Sequence, residues 1–132
     1  MDGVLCCIDE KSGSMEFAAS NNPLWLGRDG AMIEFKADKM PVGKFPGVTR
    51  KFTKQEIQLQ QGDIIYLFSD GYADQFGGPK GKKFKYRPFQ EILLKNSSVT
   101  FEKQKESLSI IHEQWKAGFE QVDDILVVGF RF

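Results

Sequence analysis

The stretch Gln61-Gly62-Asp63-Ile64-Ile65-Tyr66-Leu67-Phe68-Ser69-Asp70-Gly71-Tyr72-Ala73-Asp74 is where the fold can be read and followed outward. Ile64 to Phe68 is apolar, rich in β-branched and aromatic side chains, and follows a Gln-Gly-Asp turn, so it reads as a strand. The strand runs directly into Ser69-Asp70-Gly71, which leaves a carboxylate at a sheet edge. Near the other end of the chain, Val122-Asp123-Asp124 leads into a second apolar strand, Ile125 to Phe132. Hard divalent cations such as magnesium and manganese prefer oxygen donors, and carboxylates at strand ends hold charge in fixed positions. The two acidic strand ends therefore suggest one metal-binding rim. Physics alone also allows a plainer reading, in which Asp-Gly is a turn and the acid pair is solvated surface.

Upstream, Val4-Leu5-Cys6-Cys7-Ile8 is a continuous apolar run that suits a strand buried on both faces or one in a sandwich core. Lys11-Ser12-Gly13-Ser14 turns the chain, and Met15 to Ser20 alternates well enough to pair back as a hairpin. After the Asn21-Asn22-Pro23 break, Leu24 to Leu26 and Met32 to Phe35 flank Arg28-Asp29-Gly30, whose Asp-Gly suits a tight hairpin turn. Ala37 to Thr53, with Pro41, Gly43, Pro46 and Gly47, reads as a long loop, and Glu56 to Leu59 as a short strand.

Downstream, Phe76 to Lys85 combines Gly77, Gly78, Pro79 and Gly81 with Lys80, Lys82, Lys83 and Lys85, which predicts a mobile, solvated basic loop, with contact to a phosphoprotein as the lesser alternative. The spacing of Phe89, Ile92 and Leu93 predicts a helix from about Arg87 to Lys95, with Pro88 near its start. A longer helix begins after Thr100, with Lys103 where a capping box prefers Glu. Its apolar stripe is Leu108, Ile111, Trp115 and Phe119, broken near Gly118. His112 beside that stripe reads as a partly exposed helix residue, and Trp25 and Trp115 as packing aromatics.

Composition removes several function classes. The 132 residues fit one domain of the usual ~100–150 residues, and 41% hydrophobic residues with 12 Phe supply material for a core. Lys plus Arg (18) equals Asp plus Glu (18), so no bulk charge favours nucleic acid. Cys6 and Cys7 are strand neighbours that point to opposite faces, so they read as reduced, buried thiols rather than a disulfide. No second cysteine pair is present for a zinc site. No apolar run nears the ~20 residues that cross a bilayer, which predicts a cytoplasmic location for this portion, any anchor being upstream.

Several segments, in order, resemble the SpoIIE-like branch of the type 2C protein phosphatases. They are Met1-Asp2-Gly3-Val4-Leu5-Cys6, Phe17 to Leu24 with its Asn-Asn-Pro, Lys39-Met40-Pro41-Val42-Gly43, Gln61 to Asp74, and Asp123 to Val128. The resemblance implies an α/β (α+β) fold, an antiparallel β-sandwich flanked by helices, with this chain, residues 1–132, as the C-terminal portion of one domain. It further implies that Asp70 and Asp123 ligate metal and carry catalysis, with Gly71, Asp74 and Asp124 as neighbours of the site. Two Mn2+ or Mg2+ ions would serve the complete domain, activating water to attack a phosphoserine or phosphothreonine of a regulatory phosphoprotein in bacterial signalling. The family's earlier aspartate motifs, Gly-Asp-x-x-x-Asp and Asp-x-x-Gly-x-Gly, do not occur here, so weak metal binding and little activity are expected of this chain alone. The alternatives are a non-catalytic binding or scaffolding module of the same fold, and a homodimer formed through strand edges left unpaired.

Overall fold

The structure, a computed structural model, describes residues 1–43 and 50–132. The apolar run and its alternating partner form a hairpin of β1 (Gly3–Asp9) and β2 (Ser14–Ser20), in register from Gly3 opposite Ser20 to Asp9 opposite Ser14. The Asp-Gly turn joins β3 (Leu24–Arg28) to β4 (Ala31–Phe35), and Asp29 and Gly30 take the positive φ values, 50° and 73°, that such a turn requires. β5 (Gln55–Gln58) and β6 (Ile64–Phe68) follow on either side of the Gln-Gly-Asp turn. Of the long loop expected before β5, the part containing Pro46 and Gly47 lies outside the described residues. Asp38 in the described part forms one isolated bridge to Ser20.

Two antiparallel sheets result, β1-β2-β5 and β4-β3-β6-β9, the last strand being β9 (Val127–Arg131). Their facing sides enclose Met15, Phe17, Leu24, Leu26, Ile57 and Ile65. The other face of the four-stranded sheet packs Trp25, Tyr66 and Phe68 against α2 (Tyr86–Lys95) and α3 (Phe101–Lys116). This is the helix-flanked sandwich expected from sequence. Helix α3 starts where expected, the Thr100 hydroxyl accepting from the Lys103 amide, and ends at Ala117 in the left-handed region (φ 43°). Phe119 therefore lies beyond the helix and is 46% exposed, so it does not extend the stripe.

Three expectations need correction. β1 is a sandwich strand covered on one face, not one buried on both, and its thiols are not buried: Val4, Cys6 and Ile8 turn toward the sandwich, whereas Leu5 is 80% exposed, Cys7 is exposed and Cys6 only half-buried. Strand alternation explains this, since no layer lies over the outer face of the three-stranded sheet among the described residues. The basic segment is not a mobile loop. It forms a ribbon of β7 (Phe76–Gly77) and β8 (Lys82–Lys83), described below.

His112 is buried, not partly exposed, at 7%. Gln104, Leu108 and His112 fall at i, i+4, i+8 and run over Tyr66 of β6 and Tyr72 of the short helical turn that follows it. The Tyr66 hydroxyl donates to Gln104 Oε1 at 3.0 Å and the Tyr72 hydroxyl to the Leu108 carbonyl at 2.9 Å. Neither hydroxyl reaches His112, whose Nδ1 lies 3.7 Å from Glu113 Oε1 and whose Nε2 is buried with no hydrogen-bond partner among the described residues. The His112 ring lies 5.4 Å from that of Tyr72, and burial pushes the Tyr72 phenol well above its ordinary range.

Candidate functional site

Strand register gathers the acidic segments at one end of the sandwich. Gly3 faces Ser20, Leu24 faces Phe35, Trp25 faces Tyr66 and Phe68 faces Val127. The start of β1, the Asn21-Asn22-Pro23 turn, the residues after β4, Ser69-Asp70-Gly71 and Asp123-Asp124 therefore share a rim. Asp2 and Asp38 also sit there, a placement the sequence reading did not use although each flanks a strand. Both have polar partners: Asp2 accepts from the Asn21 amide group at 2.9 Å, and Asp38 from the Thr53 backbone N–H at 2.7 Å and hydroxyl at 3.0 Å.

The two segments carrying the predicted ligands are stitched together beyond the last ladder pair. The Ser69 hydroxyl donates to the Asp124 carbonyl at 2.8 Å and accepts from the Leu126 amide at 2.9 Å. The Ser69 amide donates to the Leu126 carbonyl at 3.0 Å. Gly71 lies so close that a Cβ there would stand 2.4 Å from the Asp124 carbonyl oxygen. The Ser-Asp-Gly spelling thus has a local cause: the hydroxyl crosslinks the two segments and the missing side chain lets them touch, with Asp70 between. Asp70 is half-buried, and Asp123 and Asp124 are exposed.

Gly71→Ala is expected to destabilise the chain by about 1–3 kcal/mol through this collision. Gly3→Ala, which meets nothing within 4 Å, serves as control. Equal urea midpoints for the two variants would remove the close-approach argument.

Asp70 precedes a one-turn helix, α1 (Gly71–Asp74), at whose end Lys83 Nζ holds the Asp74 carboxylate at 2.8 Å. Among the described residues this is the one ion pair that reaches the rim acids. Burial, and then the negative charges of Asp70, Asp74 and Glu34, push the Tyr86 phenol above its ordinary value. Asp123 folds one carboxylate oxygen onto the Asp124 amide at 2.7 Å. These oxygen donors suit magnesium or manganese in kind. They fall short in number: among the described residues no three His, Cys, Asp or Glu side chains come together to hold an ion.

At the other end of the sandwich, Asp63 closes the Gln-Gly-Asp turn. Arg28 Nε donates to its Oδ1 at 2.8 Å, Arg28 Nη2 pairs with Oδ2, and the Gln60 amide donates to Oδ2 at 2.8 Å. Asp63 is thereby a structural acid, set apart from the rim. A cavity of about 570 Å³ lies between α3 and β9, lined by Tyr72, Phe101, Leu108, His112, Ile125 and Val128 among others.

Comparison with known proteins agrees with this architecture. The SiaA-PP2C domain of Pseudomonas aeruginosa is 27% identical, with a TM-score of 0.90 over 99% of this chain and 51% of that one. The phosphatase domain of the cell fate determinant SpoIIE from Bacillus subtilis is 17% identical, with a TM-score of 0.65 over 99% of this chain and 57% of that one. The RsbU and RsbW domains of Rv1364c from Mycobacterium tuberculosis are 19% identical, with a TM-score of 0.68 over 97% of this chain and 35% of that one. The chain thus spans roughly half the length of the first two. A comparison with curated protein sequences finds no match. The family model for Stage II sporulation protein E (SpoIIE) matches residues 1–132, the whole length, and the chain belongs to that family.

Proposed function

We propose that this chain is the later part of a metal-dependent protein serine/threonine phosphatase domain, with Asp70 and Asp123 as two of its metal ligands. The observation that carries the reading is the hydrogen-bonded junction of Ser69-Asp70-Gly71 with Asp124-Ile125-Leu126, which brings two acidic segments distant in sequence to one rim. Asp70 and Asp123 fix negative charge there. Ser69 and Gly71 hold the two segments in contact, and Lys83 restrains Asp74. Manganese or magnesium, when bound, would supply a Lewis acid that acidifies water and neutralises phosphate charge. The remaining ligands would come from residues matching the part of the relatives that this chain does not span. The substrate class this reading implies is a regulatory protein phosphorylated on serine or threonine, in a bacterial, cytoplasmic signalling circuit.

Calorimetric titration of the chain with Mn2+ tests the ligand assignment. Weak binding is expected, reduced about tenfold by Asp70→Asn and by Asp123→Asn, because each substitution removes a charged ligand. Binding unaffected by either change would reject these residues as ligands. Little or no turnover of a phosphoserine peptide is expected, and robust Mn2+-dependent turnover would reject the incomplete site.

A further inference from the structure

The ribbon that follows the rim is more ordered than its Gly- and Lys-rich sequence suggests. Gly78 donates its amide to the Trp115 carbonyl at 2.8 Å. A Cβ on Gly77 would stand 1.9 Å from that same oxygen, and one on Gly78 2.6 Å from the indole. Trp115 Nε1 in turn donates to the Gln75 carbonyl at 3.0 Å, and the amides of Phe84 and Lys85 return to the carbonyls of Gln75 and Ala73. Such anchoring holds an exposed segment in one position instead of leaving it to sample many.

That position is beside the rim. Helix α1 rises about 6 Å over its four residues, and the Lys83–Asp74 ion pair closes the remaining gap between ribbon and rim. Lys83 also lies over the Phe76 ring, 5.9 Å from its centroid. Lys80, Lys82 and Lys85 are exposed and enter no ion pair among the described residues. The chain as a whole carries no net charge, so this is a local concentration of cations next to a local concentration of acids.

From this placement we infer that the ribbon Phe76–Lys83, with Lys85, is a docking surface for acidic residues that flank the phosphorylated residue of a protein substrate. The inference rests on the phosphatase reading above. An extended peptide advances ~3.3 Å per residue, so two or three residues on from a phosphoserine at Asp70 reach the ribbon. The rim acids alone would repel an acidic flank. The lysines reverse that preference where the flank must pass, and complementary charge of this kind sets partner choice and association rate.

The test is fluorescence anisotropy of labelled peptides with the 132-residue chain, each with and without Mn2+. The peptides are an acid-flanked phosphoserine peptide, a neutral-flanked one, and the acid-flanked sequence with plain serine. Acid-flanked peptides are expected to bind about tenfold tighter than the neutral-flanked one, the preference fading at high salt. The Lys80→Gln, Lys82→Gln, Lys85→Gln variant should lose the preference with its urea midpoint unchanged. A control carrying Lys11→Gln, Lys95→Gln and Lys103→Gln should keep it. A preference that survives the ribbon variant, or falls equally in the control, overturns the inference. Asp70→Asn should abolish the Mn2+-dependent advantage of phosphoserine over serine while leaving the acid preference intact. If only that advantage is missing, the phosphatase reading fails and the ribbon stands.

Discussion

Trp25→Ala is expected to lower the unfolding free energy by about 3–5 kcal/mol, the usual range for truncating a fully buried aromatic. Trp25 is 0% exposed on the second strand from the edge of the four-stranded sheet. Its ring lies 4.0 Å from that of Phe68 and 5.3 Å from that of Phe89, so it joins sheet to α2. Its Nε1 donates to Glu34 Oε2 at 3.0 Å, directly across the β3–β4 pair. Trp25→Phe keeps most of the apolar contact and should cost less than half as much. A midpoint shift for Trp25→Ala no larger than for Trp25→Phe would show that this junction does not organise the core.

Asp63→Ala should cost about 3 kcal/mol, because it leaves the Arg28 guanidinium, whose side chain is 20% exposed, with only the Gln58 carbonyl as partner. The sign of the pH effect follows from the same contact. The Arg28 guanidinium holds the Asp63 carboxyl below the usual carboxylate value, against partial opposition from burial. The folded pKa is thus lower than the unfolded value of about 3.9. The stabilisation is fully present above about pH 3.9 and is lost as pH falls through the folded value. Urea midpoints measured downward from neutral pH should therefore drop more steeply for the parent chain than for Asp63→Ala. Parallel slopes would mean that Asp63 is not the linked group.

Much of the architecture was legible because local pattern and tertiary position agreed. The Asp29-Gly30 turn, the alternation in β2, the apolar run of β6 and the Thr100 cap each have a cause within a few residues. The misreadings came from causes elsewhere in the chain. Gly77 and Gly78 look like flexible punctuation until Trp115, nearly forty residues later, is seen to need the space they leave. His112 looks exposed because its polarity is local knowledge, whereas the Tyr72 ring 5.4 Å away, forty residues earlier in the chain, is not. Leu5 and Cys7 look buried because an apolar run does not reveal which of its faces is covered. For the candidate site, the two acidic strand ends were visible as residue types. Their adjacency depended on register and on the Ser69 crosslink, which no short window contains.

That crosslink also sets an order of events. The Ser69 hydroxyl and its partners lie 55 and 57 residues apart, and the later partners directly precede β9. Contacts of this span cost loop-closure entropy before they return any stabilisation. During vectorial synthesis, the β1–β2 and β3–β4 hairpins can pair as they emerge. The acidic rim cannot close until β9 has left the ribosome and docked on β6. A nascent chain stalled short of Asp124 would hold a partly formed sandwich with Asp70 unopposed, so closure of the rim waits on the synthesis and docking of β9.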